Sequence, residues 1–216
     1  MRIMNNAVLV IGGTAPSFES IKNDIDSSYI CAADSGFDTC LAWNLVPDLV
    51  VGDMDSVVHA DRLSSSKEVL RFPRDKDYTD TELGINILYE RGYNQITIIG
   101  GGGGRIDHIF ALLYLFYRTS NTPFQWITDK ERIVLVKHSV ICKVPCHSLV
   151  SVFPDPRGAS NMQSTGLKWP LNDIQFAPGY FGISNYALDD TVSITTNQTP
   201  VIVVLPIEAV LLEYKT

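Results

Sequence analysis

No stretch of this sequence approaches the ~20 consecutive apolar residues that carry a helix across a bilayer. The first apolar run, 7–11, is too short for the core of a secretion signal and ends in Gly12-Gly13-Thr14, a strand-to-loop turn. No membrane association is therefore expected. Basic residues are also few: 17 Lys and Arg stand against 24 Asp and Glu, for a net charge of -7, and they form no cluster. That disfavours nucleic acid as a partner, because phosphate neutralisation needs grouped Lys and Arg. Cysteine is scarce. Cys31, Cys40, Cys142 and Cys146 lie mostly in apolar stretches, which predicts buried thiols in a reducing, cytoplasmic compartment. Cys142, Cys146 and His147 lack a second ligand pair at zinc-like spacing, and His59 and His138 stand alone. The order Gly-x-x-x-x-Gly-Lys-Ser/Thr is missing, and Gly12-Gly13 completes no dinucleotide fingerprint. Internal repeats and low-complexity linkers are missing too.

The chain has 216 residues, 45% of them hydrophobic and 19% charged, enough for one large or two small cores. Its periodicity changes once. Up to about residue 130, short continuous apolar runs at 7–11, 29–33, 49–51, 69–72, 96–99 and 124–127 read as strands buried on both faces. Helix-period segments at 17–25, 37–43, 80–91 and 107–118 lie between them, the third with Thr79 as N-cap and Gly92 as its stop. The reading is an N-terminal three-layer α/β/α domain with a parallel sheet, residues 1–130. Beyond it, strands are expected at 133–136, 140–144, 149–153, 192–196, 201–205 and 210–214. Turn signals at 155–158, 172–173 and 197–198 punctuate them. Residues 131–216 thus read as a small all-β domain, a sandwich or barrel, modest enough to need docking against the first domain or a second chain.

In a parallel sheet, ligands bind beyond the carboxyl ends of the strands. The residues in those positions are mostly aspartates: Asp34 after the second strand, Asp53 and Asp55 after the third, and Asp75, Asp77 and Asp80 after the fourth. Any one of them could be an ordinary turn or cap residue. Several carboxylates on one rim repel each other, however, and are tolerated chiefly when a cation compensates them. Mg2+ suits carboxylates arriving singly from separate loops, with substrate phosphates completing its shell. The fifth strand runs into five glycines, 100–104, ahead of a helix, a setting in which backbone N–H groups can approach phosphate. Arg105, Arg74 and Lys76 supply cations nearby.

With these pieces in order, the sequence resembles thiamine pyrophosphokinases. The resemblance runs through Ala33-Asp34-Ser35-Gly36, Pro47-Asp48-Leu49-Val50-Val51-Gly52-Asp53-Met54-Asp55-Ser56, Lys76-Asp77-Tyr78-Thr79-Asp80-Thr81-Glu82 and Gly103-Gly104-Arg105-Ile106-Asp107-His108. In the second half it continues through Thr165-Gly166-Leu167-Lys168-Trp169-Pro170-Leu171 and Gly182-Ile183-Ser184-Asn185. Three positions depart from the family's habit: Met54 where Phe is frequent, Ser35 where Gly is, and Leu112 where an Asn often follows the Asp-His pair.

The resemblance implies a homodimeric enzyme that moves pyrophosphate from ATP to the hydroxyl of thiamine, giving thiamine diphosphate and AMP. It assigns Mg2+ to Asp53, Asp55 and Asp80, and catalysis to these three with Arg105. ATP binding falls to Asp34, Lys76, Thr79, Gly103, Gly104, Arg105 and Asp107. Thiamine binding falls to Trp169, Ser184 and Asn185 in the β domain, facing the catalytic domain of the partner chain. Two alternatives stay open: a pyrophosphokinase of the same superfamily acting on a hydroxymethyl-pterin, and a non-catalytic thiamine or nucleotide sensor.

Overall fold

Two compact units divide the chain, Met1–Asp129 and Lys130–Thr216. The structure, a computed structural model, describes residues 5–155, 162–172, 174–177, 179–196 and 199–215. The turn signals at 156–158, 173 and 197–198 lie outside the described residues.

The first unit runs β1 (Asn6–Val10), α1 (Phe18–Ile25), β2 (Tyr29–Ala33), α2 (Gly36–Ala42), β3 (Leu49–Gly52), a 3-10 turn (Ala60–Ser65), β4 (Glu68–Arg71), α3 (Asp80–Glu90), β5 (Gln95–Ile99), α4 (Ile106–Leu115) and β6 (Gln125–Ile127). Its strands lie in the order β6-β5-β1-β2-β3-β4, and every pairing is parallel. The expected α/β domain is observed. Successive residues of β1, β3 and β5 are buried, as continuous apolar runs require when both sheet faces are covered. β4, at the edge, is only half-buried.

The strand order reverses at β1, which pairs with β2 on one side and β5 on the other. This is the topological switch point, beyond whose strand ends α/β sheets place their ligands, and the loops that leave β1 and β5 flank it. The two loops are joined: Thr14 and Gly102 exchange backbone hydrogen bonds of 2.7 and 3.0 Å, and Gly101 N–H donates to Gly12 O at 2.8 Å. Trp126, buried in β6, donates its indole N–H to Gly100 O at 2.7 Å. Leu112 fits against Gly101, where a Cβ would come 2.7 Å from its Cδ1. In this chain the helix position often held by Asn is therefore a packing contact.

α3 begins as its sequence indicates. The Thr79 hydroxyl accepts from Glu82 N–H, and the Glu82 carboxylate accepts from Thr79 N–H, a complete capping box. α4 stops at Leu115, three residues short of the expected 118, because Phe116 and Tyr117 turn their N–H groups to carbonyls three residues back.

The second unit contains β7 (Glu131–Val136), β8 (Ser139–Lys143), β9 (Leu149–Pro154), β10 (Gln163–Thr165), β11 (Gly182–Tyr186), β12 (Thr191–Thr195), β13 (Val201–Pro206) and β14 (Val210–Lys215). They form two antiparallel layers, β11-β9-β13-β7 and β10-β12-β8-β14. β9 and β12 alternate buried and accessible residues, and the Tyr214 hydroxyl ties the layers by donating to Leu135 O at 2.8 Å. Of the two forms expected, the sandwich is the one found. β10 and β11 are additional to the six strands read from the sequence: their residues, QST and GISNY, carry no apolar alternation. No helix among the described residues is long and apolar enough to cross a membrane.

Gly36 opens α2 directly against β1. A Cβ there would sit 2.1 Å from Val10 O and 2.9 Å from Ile11 Cα, both main-chain atoms. Gly36→Ala should therefore cost about 1–3 kcal/mol, the range for overpacking a close contact. Urea unfolding of the two proteins, with a lowered midpoint at equal slope, is the check.

Candidate active site

Three carboxylates meet at the carboxyl ends of β2 and β3. Asp34 leaves β2 in the left-handed region at φ 49°, Asp53 follows β3, and Asp80 is the first residue of α3, placed by the Thr79 cap. One oxygen from each lies within 4.8 Å of the other two. Gly52 makes the approach possible. Its φ is +142°, and a Cβ would lie 3.1 Å from Asp80 Oδ1 and 3.3 Å from Asp34 Cβ.

The charges are partly compensated. Lys76 Nζ stands 3.3 Å from Asp80 Oδ1 and 3.6 Å from Asp53 Oδ2, with its side chain only 14% exposed. Asp53 Oδ1 accepts the Asp55 N–H at 3.0 Å, and Asp34 Oδ2 accepts the Ser56 hydroxyl. Asp34 Oδ1 and Asp80 Oδ1 remain buried without a hydrogen-bond partner; Lys76 faces the latter as an ion pair outside hydrogen-bond geometry. The Asp55 N–H bond, with the Lys76 charge, holds the Asp53 carboxyl below the usual range. Burial pushes Asp80 up, the neighbouring Asp34 and Asp53 add to that, and Lys76 opposes it.

The cluster thus pairs Asp53 and Asp80 with Asp34. Asp55 stays outside it: Met54 takes φ 67°, the chain turns, and the Asp55 carboxylate pairs with Arg74 Nε at 3.3 Å. Arg105 and Asp107 pair with each other at the start of α4, the Arg105 Nε–Asp107 Oδ1 contact being 3.1 Å, and both are exposed. Gly103 and Gly104 lie in the loop fastened by the Thr14–Gly102 bridge. The Thr79 hydroxyl is engaged with Glu82, whose other oxygen accepts from Arg118 at 2.8 Å.

In the second unit, Trp169 is 51% exposed. Lys168 Nζ lies 4.7 Å from its ring centroid and 5.6 Å from that of Tyr186. Asn185 is buried, and its amide is spent on the neighbouring chain: Oδ1 accepts from Trp169 N–H at 3.1 Å and Tyr186 N–H at 2.9 Å, while Nδ2 donates to Trp169 O at 2.7 Å. Ser184 sits at φ 58° within a bulge of β11. The structure therefore brings Trp169 and Asn185 into direct contact, with Ser184 beside them in sequence.

Two features escaped sequence reading. His59 does not stand alone: its Nδ1 lies 2.7 Å from Asp38 Oδ1, a partner 21 residues away that no local pattern marks. Ser56 could have been suspected from its place directly after the acidic pair Asp53 and Asp55. Of the thiols, Cys31, Cys40 and Cys142 are buried as expected, and burial pushes Cys40 up to about 12 and Cys142 to about 11. Cys146 departs from the expectation, lying exposed with its thiol 3.2 Å from Leu188 O, because it falls after Pro145 in the turn that follows β8.

A parallel α/β unit with clustered carboxylates at its strand ends and a glycine loop at its switch point defines a phosphoryl-transfer class of enzyme. Within that class the family is specific. Residues 22–127 match the family described as thiamin pyrophosphokinase, catalytic domain, and residues 137–201 match thiamin pyrophosphokinase, vitamin B1 binding domain. The chain belongs to the thiamine pyrophosphokinase family. It is 27% identical over 184 residues to the thiamine pyrophosphokinase of Bacillus subtilis, covering 82% of this chain and 86% of that protein. It is 25% identical over 166 residues to thiamine pyrophosphokinase 1 of Oryza sativa, covering 70% of this chain and 63% of that one. The crystal structure of the Bacillus subtilis protein superposes with a TM-score of 0.80 at 22% identity, covering 94% and 99% of the two chains. The yeast thiamin pyrophosphokinase structure does so at 0.71 and 16%, covering 94% and 86%.

Because its surroundings raise the Asp80 pKa, the folded chain holds that proton more tightly than the unfolded chain does. Between the ordinary Asp value of about 3.9 and the raised one, stability falls as pH rises, and the deficit persists above both. Asp80→Asn should thus be more stable than wild type at pH 7 without added metal, and the difference should vanish below about pH 3. Thermal unfolding at the two pH values measures it.

Proposed function

We propose that this chain catalyses Mg2+-dependent transfer of pyrophosphate from ATP to the hydroxyethyl oxygen of thiamine, releasing thiamine diphosphate and AMP. Family membership supports the reaction and the co-substrate. The single observation that supports the metal is the Asp34–Asp53–Asp80 cluster, in which Asp34 Oδ1 and Asp80 Oδ1 are buried and accept no hydrogen bond, the latter met by the Lys76 ion pair. Hard oxygen donors of this kind suit Mg2+. Bound there, the ion would neutralise charge on the phosphate oxygens of ATP.

The residues divide the remaining work. Asp53, kept ionised by the Asp55 N–H and Lys76, is a permanent anion for cation binding. Asp34 and Asp80 share that task, and either carboxylate can take the proton of the thiamine alcohol. Asp55 lies one turn outward, where its pair with Arg74 steadies the loop. Lys76, Arg105, the glycines at 103 and 104, Thr79 and Asp107 are assigned to the nucleotide, Thr79 by fixing the start of α3. Such a site acts mainly by alignment and charge neutralisation.

Thiamine is assigned to the unit at Lys130–Thr216, where Trp169 offers a flat exposed ring to a pyrimidine or a cationic thiazolium. The cation already over that ring, Lys168, supports a face that attracts positive charge. Ser184 and Asn185 complete the proposed subsite, Asn185 by holding the Trp169 backbone. A hydroxymethyl-pterin substrate is disfavoured by the match to a vitamin B1 binding domain over residues 137–201. The exposed Tyr180, Phe181 and Ile183 support a second copy as partner, giving a homodimer. The reduced, buried thiols support a cytoplasmic setting.

The direct test is formation of AMP and thiamine diphosphate from purified protein, thiamine, ATP and Mg2+; no product would overturn the reading. Asp53→Asn and Asp80→Asn should each lower kcat on the order of 10²-fold, as loss of transition-state charge neutralisation does. Trp169→Ala should raise the thiamine KM by roughly 3- to 30-fold with the ATP KM nearly unchanged. An equal rise in both KM values would assign Trp169 to structure instead.

A further inference from the structure

Asp38 belongs to none of the motifs above, yet it fastens the loop that carries Asp53. It lies in the first turn of α2, four residues beyond Asp34, which precedes the helix at the end of β2. Asp38 Oδ2 accepts the Val58 N–H at 2.9 Å, and Asp38 Oδ1 accepts the His59 N–H at 3.0 Å and pairs with His59 Nδ1 at 2.7 Å. Its side chain is 19% exposed, that of His59 53%. Four residues earlier, Asp34 Oδ2 accepts the Ser56 hydroxyl. The segment 53–59 is therefore caught at residue 56 by Asp34 and again at 58–59 by Asp38.

Chain integrity alone does not require the second catch. Met54, Val57 and Leu63 are buried and anchor the segment to the core from within. What the Asp38 contacts add is registry. They pin the outer end of a loop whose inner end presents Asp53, and between the two ends lie the Asp55 N–H on Asp53 and the Ser56 hydroxyl on Asp34. A loop slack at 58–59 would let Ser56 leave Asp34 and let Asp55 leave Asp53, loosening two of the three clustered carboxylates together.

We infer that Asp38 is a positioning residue for the metal–nucleotide site, acting through the 53–59 loop to hold Asp34 and Asp53 at ligating distance. The inference rests on the reading of Asp34, Asp53 and Asp80 as the cation site.

The test is Mn2+ binding to the purified protein, followed by the electron paramagnetic resonance signal of free Mn2+, with and without ATP, alongside the Mg2+ dependence of turnover. Residues that orient metal ligands typically cost 10- to 100-fold in affinity when removed, so Asp38→Ala should weaken Mn2+ binding by about 10-fold and shift the Mg2+ midpoint upward by a similar factor. The thiamine KM should stay within about two-fold, since only ligand orientation is disturbed. His59→Ala, which keeps both backbone bonds, should weaken Mn2+ by no more than about three-fold, as expected for an exposed pair. Asp38→Glu should recover less than full affinity, because its longer arm misplaces the same acceptors. If Asp38→Ala does not fold, Asp38→Asn decides the matter, since its amide nitrogen cannot accept the Val58 N–H. Wild-type Mn2+ affinity in either folded variant, with Asp53→Asn weakened, overturns the inference and leaves the cation site standing. Wild-type affinity in Asp53→Asn as well overturns both.

Discussion

Mutual repulsion among three carboxylates on one rim is the constraint to which the rest of the first unit answers. Oxygens from Asp34, Asp53 and Asp80 within 4.8 Å of one another would force each other apart or take up protons unless every approach were compensated. The compensation is distributed. Lys76 stands between two of them, the Asp55 N–H and the Ser56 hydroxyl take one oxygen each, and the capping box fixes where α3 can begin. Gly52 supplies space that no side chain would leave. The capping box would stabilise α3 in any setting, but the acidic rim would not, because clustered, partly buried carboxylates cost stability unless a cation compensates them.

The parallel sheet could be read from the sequence because its signal is local. Strands buried on both faces are continuous apolar runs, and 29–33 coincides with β2. Thr79, Glu82 and Gly92 mark the ends of α3 by chemistry confined to a turn. That aspartates follow strands was equally visible, and the fold rule gave them meaning. Which of them meet was not. Asp53 and Asp55 look like a pair because they are two residues apart, yet the φ of 67° at Met54 sends the second away. Asp34, 19 residues earlier, takes the place beside Asp53 because β2 and β3 are neighbours with Ala33 opposite Val51. Partnerships such as Asp38 with His59 depend on the same long-range adjacency and leave no mark in a linear pattern.

The second unit was legible where its strands alternate or run continuously apolar. β9 and β12 announce themselves by one buried face, β7 and β13 by unbroken apolar runs. β11, reading GISNY, does not, because a bulge breaks its period at Ser184. There the ladder is continued by a side chain. Beyond the Leu167–Ala187 bridge and the Lys168 N–H on Tyr186 O, the strand-like pairing reaches Trp169 through the amide of Asn185, which supplies both an acceptor and a donor. Asn185, expected from family resemblance at the thiamine site, also substitutes for main chain in the structure. The exposed indole it presents is held at the backbone while its ring stays open.

The central position of β1 has a consequence for how the protein folds. Asn6–Val10 pairs on one side with the nearby Tyr29–Ala33, and on the other with Gln95–Ile99, far along the chain. Long loops must close before that pairing contributes, which slows folding of parallel sheets. Until it forms, the glycine loop has no Thr14 to lean on. A partly unfolded chain without this pairing therefore lacks the fastening of the loop proposed for the nucleotide. Nucleotide binding at that loop would report completed folding of the first unit, and substrate would act on the chain as a folding ligand, drawing it toward the one topology in which β1 lies at the centre.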